Sequence, residues 1–162
     1  SLDKKGIEAA VLTIPSMFVA EDRGYRVLLD MADTDIFYLH TMIGTTRNYL
    51  KNNRDKVSRY LKGFLEGLAF VKQRKKESVD IVKKKLRIGP EQERNLERSI
   101  DLLSTKYYEQ IPYTSLRGVE TVLGYIEKDN PKAKTADPKS FYDDSLLREI
   151  EQSGLVKTLY QR

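Results

Sequence analysis

The chain has 162 residues, 40% of them hydrophobic and 33% charged, with 29 Lys and Arg against 24 Asp and Glu and a net charge of +5. It has no cysteine and one histidine, His40, which excludes disulfides, thiolate metal sites, cysteine nucleophiles and a multi-histidine metal centre within one chain. No apolar run reaches the roughly 18 residues a membrane span needs, and the opening SLDKKG does not read as a signal peptide.

The first patterned stretch is Gly6 to Asp30, GIEAAVLTIPSMFVAEDRGYRVLLD. Ile7 to Thr13 is an apolar run of the kind found in strands buried on both faces. Pro15 suits the first position of a helix, Met17, Phe18 and Ala20 continue at helical spacing, and Gly24 suits the left-handed position past its end. Tyr25 to Leu29 is again rich in β-formers. Together these predict a parallel βαβ unit, whose ligand corner would be Thr13-Ile14-Pro15-Ser16. After the acidic Asp30 to Phe37, Tyr38 to Thr45 alternates and reads as a third strand or a hinge segment.

From Thr46 onward the spacing is helical. Thr46 to Asn53 predicts a short helical turn, with Asn52 capping a longer helix through Val57, Tyr60, Leu61, Phe64, Leu65, Leu68 and Val71. Gly63 and Gly67 lie four apart on the next face. Glu77 or Ser78 opens a helix that stops at Gly89-Pro90. Pro90 starts another as far as Ile111, and Thr114-Ser115 caps a helix ending at Asp129-Asn130-Pro131. Lys132 to Tyr142 reads as a surface loop. Asp143 or Asp144 caps a helix over Ser145 to Gln152, and Leu155 to Tyr160 is a short apolar tail.

The Thr13–Ser16 corner is the sharpest candidate site, because amides at a helix start and hydroxyls on Thr13 and Ser16 can bind ligand oxygens. His40, beside Thr41, is a candidate ligand contact or general base, and Tyr38 a candidate aromatic wall. The basic stretch Lys72 to Arg87 is interrupted by Glu77 and Asp80 and threaded by Val79, Ile81, Val82 and Leu86. It therefore reads as a solvated helix face and not a nucleic-acid surface. No phosphate loop, dinucleotide fingerprint or nucleophile elbow is present, so no catalytic residue, metal or cofactor is expected.

Gly6-Ile7-Glu8-Ala9-Ala10-Val11-Leu12, Pro15, Ala20 and Gly24-Tyr25-Arg26-Val27-Leu28 resemble the "G-x-[DE]-A … P … A … G-[FY]-x-V-L" passage of ABC-transporter substrate-binding proteins of the nitrate/sulfonate/taurine type. Arg47-Asn48-Tyr49-Leu50-Lys51-Asn52, Val57 and Phe64…Gly67 resemble a following passage, with Asn53 where that family often has proline. Ile111-Pro112-Tyr113, Gly118, Asn130-Pro131 and Asp143 to Tyr160 with Ser153-Gly154-Leu155 follow in the same order.

The resemblance implies the C-terminal half of a two-lobe, periplasmic-binding-protein-like α/β fold. Residues 1–32 would end the second lobe, 33–41 would form the hinge crossing, and 42–162 would be the mostly helical C-terminal part of the first lobe. It implies a non-enzymatic, periplasmic or extracytoplasmic solute-binding component that captures a small anionic or polar organic solute and delivers it to an ABC permease. Thr13, Pro15, Ser16, Tyr38, His40 and Thr41 would line the ligand cleft. Similar proteins include a thiamine-pyrimidine-precursor synthase, whose cysteine-rich motif is lacking here, and effector-binding domains of transcription regulators. No nucleic-acid partner is expected, and self-association of this chain is.

Overall fold

The computed structural model describes residues 2, 4 and 6–161, and among them the secondary structure is helical throughout. The expected α/β architecture, with its βαβ unit over Gly6–Asp30 and a third strand over Tyr38–Thr45, is therefore corrected: no described residue belongs to a strand. The helix in the middle of that unit does form. It is α1 (Ser16–Asp22), with Pro15 at its N-cap and Gly24 at φ 84°, its N–H bonded to the Glu21 carbonyl at 2.8 Å. The flanking runs do not pair. Val11 is 93% exposed, and Ile7, Leu12, Val27, Leu28 and Leu29 are exposed with it. The physical reason is that an apolar run records a preference for burial, whereas a strand exists only where neighbours complete its hydrogen-bond ladder.

Past residue 45 the helices come in the expected order with shifted ends: the one from Pro90 stops at Tyr107 and not Ile111, and Leu155–Tyr160, expected as an apolar tail, is itself helical. α2 (Arg47–Asn52) begins at Thr46, whose hydroxyl accepts from Tyr49 N–H at 3.1 Å. α3 (Arg54–Gln73) follows at once, so Asn52 ends α2 and the carbonyl of Asn53 takes the first bond of α3, from Val57 N–H. α4 (Lys75–Leu86) starts earlier than Glu77 or Ser78, and the Ser78 hydroxyl bonds back to the Arg74 carbonyl at 2.8 Å. It ends on Arg87 in the left-handed conformation, with Ile88 N–H reaching the Lys83 carbonyl, before Gly89-Pro90 could stop it.

Pro90 opens α5 (Pro90–Leu102), which continues as a π-helical turn over Leu103–Tyr107. There the hydroxyls of Ser104 and Thr105 both donate to the Asp101 carbonyl and so compete with the regular backbone ladder. Ser115 caps α6 (Leu116–Ile126). The expected loop Lys132–Tyr142 holds two short 3-10 turns, each announced by an Asn or Asp before a proline. Asn130 accepts from Lys132 N–H, and Asp137 from Lys139 N–H. α7 (Ser145–Gln152) and α8 (Leu155–Tyr160) close the chain, joined through Gly154 at φ 78°. No helix among the described residues is long and apolar enough to cross a membrane.

The chain divides into two compact units. One joins the N-terminal segment up to Leu28 with Phe70–Tyr107, and its core is Val79, Leu96 and Ile100, bordered by Val71, Val82 and Ile88. The other joins Leu29–Ala69 with Tyr108 onward and has two clusters. Leu65, Leu68, Ile150 and Val156 pack α3 against α7 and α8, and Val119, Leu123 and Ala133 pack α6 under Leu39, Ala136 and Tyr142.

Candidate functional site

The Thr13–Ser16 corner sits at the mouth of α1 and is exposed apart from Ile14, which is partly covered. Two of the amides expected to face a ligand are used internally: Met17 N–H bonds the Thr13 carbonyl at 3.1 Å and Phe18 N–H the Pro15 carbonyl at 3.0 Å. Ser16 is the first helical residue, with its side chain at the surface. Thr13, Pro15 and Ser16 belong to the first unit, and Tyr38, His40 and Thr41 to the second.

In the second unit, Tyr38 is 57% exposed and meets Tyr125 edge-to-face, with ring centres 6.1 Å apart. This pair gives the expected aromatic wall a partner from α6. His40 Nδ1 lies 3.1 Å from the Thr41 hydroxyl, and both residues are exposed. The contact is between chain neighbours. It does not form the nucleophile–base–orienter series that general-base catalysis uses.

Two arginines that the sequence reading did not single out organise the N-terminal third of the chain. In the first unit, the Arg98 guanidinium lies 4.1 Å over the Phe18 ring and bonds Glu21, while its other terminal nitrogen bonds Asp22 Oδ1 at 3.1 Å. The buried Asn95, one turn earlier on α5, donates to Asp22 Oδ2 at 2.9 Å. In the second unit, the Arg117 guanidinium lies 4.2 Å over Phe37 and reaches the Asp35 carbonyl at 3.5 Å. These partners are about eighty positions apart, so no local motif could announce them.

A shallow cleft of about 400 Å³ opens where α2 meets α3. Lys51, Lys56 and Arg59 line it, and Arg54 there is held by Ser145 (3.1 Å) and Glu149 (2.5 Å) on α7. At the start of α7, Asp143 accepts from Ser145 N–H at 2.9 Å. The Ser145 hydroxyl, then its backbone N–H, then Arg54 and Arg47 hold the Asp143 carboxyl below its ordinary value. Asp144 is buried and accepts from the Thr114 hydroxyl at 3.0 Å. Among the described residues no group of acidic or histidine side chains is arranged to hold a metal ion. The chain matches no family model, and neither the curated proteins nor the solved structures include a match.

Proposed function

We propose that this chain is part of the solute-binding component of an ABC transporter, working outside the cytoplasmic membrane. It captures a small anionic or polar organic solute and delivers it to a permease. The reading rests on the ordered likeness of six passages to the nitrate/sulfonate/taurine type, from Gly6…Leu28 through Asp143…Tyr160. It is supported by the way those passages fall on helix boundaries: Pro15 and Gly24 bracket α1, Arg47 to Asn52 spans α2, Asn130-Pro131 follows α6, and Ser153-Gly154 joins α7 to α8. Self-association of the chain belongs to the same proposal.

The contacts proposed for the solute form two separate groups: Thr13, Pro15 and Ser16 at the mouth of α1 in the first unit, and in the second unit Tyr38, against Tyr125, with the chain neighbours His40 and Thr41. Removing the Ser16 hydroxyl by Ser16→Ala deletes one hydrogen bond and is expected to cost about 1 kcal/mol of binding, roughly fivefold in affinity. Ser16→Asp is expected to cost an anionic solute more, and to help a cationic one. A thermal-shift screen of small organic acids finds the solute, and calorimetry on the two variants then reads the affinities. Unchanged affinity in both folded variants would remove the corner from the site. A screen in which no small solute shifts the melting temperature would overturn the function.

A further inference from the structure

The segment Gly6–Leu28 is an arm. Its helix α1 packs on α5, and the contacts converge on one clamp. Phe18, the buried residue of α1, lies under the Arg98 guanidinium, Glu21 and Asp22 pair with the same guanidinium, and Asn95 holds Asp22 from below. Beyond the clamp the arm leaves its large apolar side chains uncovered: Ile7, Val11, Leu12, Val27 and Leu28 are each 40% exposed or more. The chain then runs through Leu29–Ile36, where Leu29, Met31 and Ile36 are exposed, before Arg117 takes hold of Phe37. These eight residues hold one 3-10 turn, Met31–Asp33, capped by Asp30; with that single turn opened they can span roughly 26–29 Å.

We propose that Gly6–Leu28 is an exchangeable element through which two copies of this chain associate, each arm docking Phe18, Glu21 and Asp22 on Arg98 and Asn95 of the other copy. Every clamp contact is kept in the exchanged form, because each copy offers the same acceptor helix and the same arm. The exchange therefore costs the clamp nothing. The uncovered apolar residues of the two arms and linkers provide the surface that two molecules can bury and one leaves in water. This deepens the self-association stated above by naming its surface. Its test reads assembly and arm protection, whereas solute capture is read by calorimetry, so either reading can fail alone.

A charge-reversal pair provides the test. Arg98→Glu, and separately the double variant Glu21→Arg with Asp22→Arg, each set like charges against one another in every clamp, within a molecule or between identical copies. Mixed, they restore opposite charges only across two different molecules. The expected result is that each variant alone sediments as a monomer and is cut quickly by chymotrypsin at Phe18. An equimolar mixture should form a species of twice the mass whose arm is cut about tenfold more slowly. A mixture that behaves as the sum of its parts overturns the proposal. Wild-type protein is sedimented alongside from about 1 to 100 µM, and a monomer throughout also overturns it. Circular dichroism verifies that the helices persist. If Arg98→Glu loses them, Arg98→Gln replaces it, and a dimer that survives that change overturns the exchange.

Discussion

The Arg98 guanidinium stacks 4.1 Å above the Phe18 ring while pairing with Glu21 and Asp22, so one side chain ties α1 to α5 by both dispersion and charge. These ionic side chains are about one-third exposed, so the pairs contribute less than buried ones would. With the cation–π contact included, Arg98→Ala is expected to lower stability by about 1–2 kcal/mol. Arg98→Lys keeps a charge but loses the planar stack and the paired nitrogens, and should recover less than half of that. Urea unfolding of the three proteins checks the order. Equal stability of wild type and Arg98→Ala would show that the clamp does not hold the unit together.

Glycines on two helices should respond in opposite directions. A methyl group at Gly63 or Gly67 would meet nothing within 4 Å, so on the exposed face of α3 each is only a weak helix former. Gly63→Ala and Gly67→Ala are expected to stabilise by roughly 0.5–1 kcal/mol each. Gly118 on α6 is different, because an added methyl would sit 2.9 Å from Leu39 Cγ. Gly118→Ala is expected to destabilise, and in a Leu39→Ala background the same change should become neutral or favourable. Thermal melts of the double-mutant cycle decide. Additivity of the two changes would mean that Leu39 does not press on Gly118 in solution.

Tyr160 packs beside the Leu65–Ile150 cluster with its hydroxyl enclosed and, among the described residues, without a hydrogen-bond partner. An enclosed, unpaired hydroxyl costs stability that its removal returns, so Tyr160→Phe is expected to be neutral or to stabilise by up to about 1 kcal/mol. Tyr160→Ala is expected to cost about 3 kcal/mol through lost packing. A clear loss of stability in Tyr160→Phe would show that the hydroxyl has a partner in solution.

The alkaline limb of stability follows from two phenols. The hydrogen bond from the Tyr113 hydroxyl to Glu151, 2.6 Å long, raises the Tyr113 pKa, and burial raises that of Tyr160. Both folded values lie above the unfolded value near 10, so the contribution is fully present below about pH 10 and is lost as pH rises through the folded values. Tyr113→Phe and Tyr160→Phe should each flatten the decline of stability above pH 10. A limb that stays as steep in the double variant would assign it to other groups.

Acid acts through Asp143 in the opposite sense. Its folded pKa is depressed, first by the Ser145 hydroxyl and then by the Ser145 amide. Its contribution is therefore present above the unfolded value near 3.9 and is lost as pH falls through the folded one. Asp143→Asn is expected to remove that part of the acid dependence while the rest of the limb persists. Chemical denaturation between about pH 2 and 6 reads the difference.

The sequence by itself determined the longer helices, though not the helical state of Leu155–Tyr160 or the 3-10 turns after Asn130, because a long helix is settled by neighbours within one or two turns. The apolar spacing from Val57 to Val71, the caps at Thr46 and Ser115, the start at Pro90 and the turn at Gly154 all lie within reach of the elements they bound. Local chemistry also placed α1 between Pro15 and Gly24, and put Thr13 and Ser16 at its mouth. The strands were misjudged for the complementary reason. Ile7–Thr13, Tyr25–Leu29 and Tyr38–Thr45 carry apolar β-forming residues, but pairing depends on a second backbone that no local pattern supplies. What the N-terminal third does instead was decided by tertiary structure alone. Phe18 meets Arg98, Phe37 meets Arg117, and Leu39 closes on Gly118, each across about eighty positions of chain, where only the folded path sets which cation or gap an aromatic or leucine side chain finds.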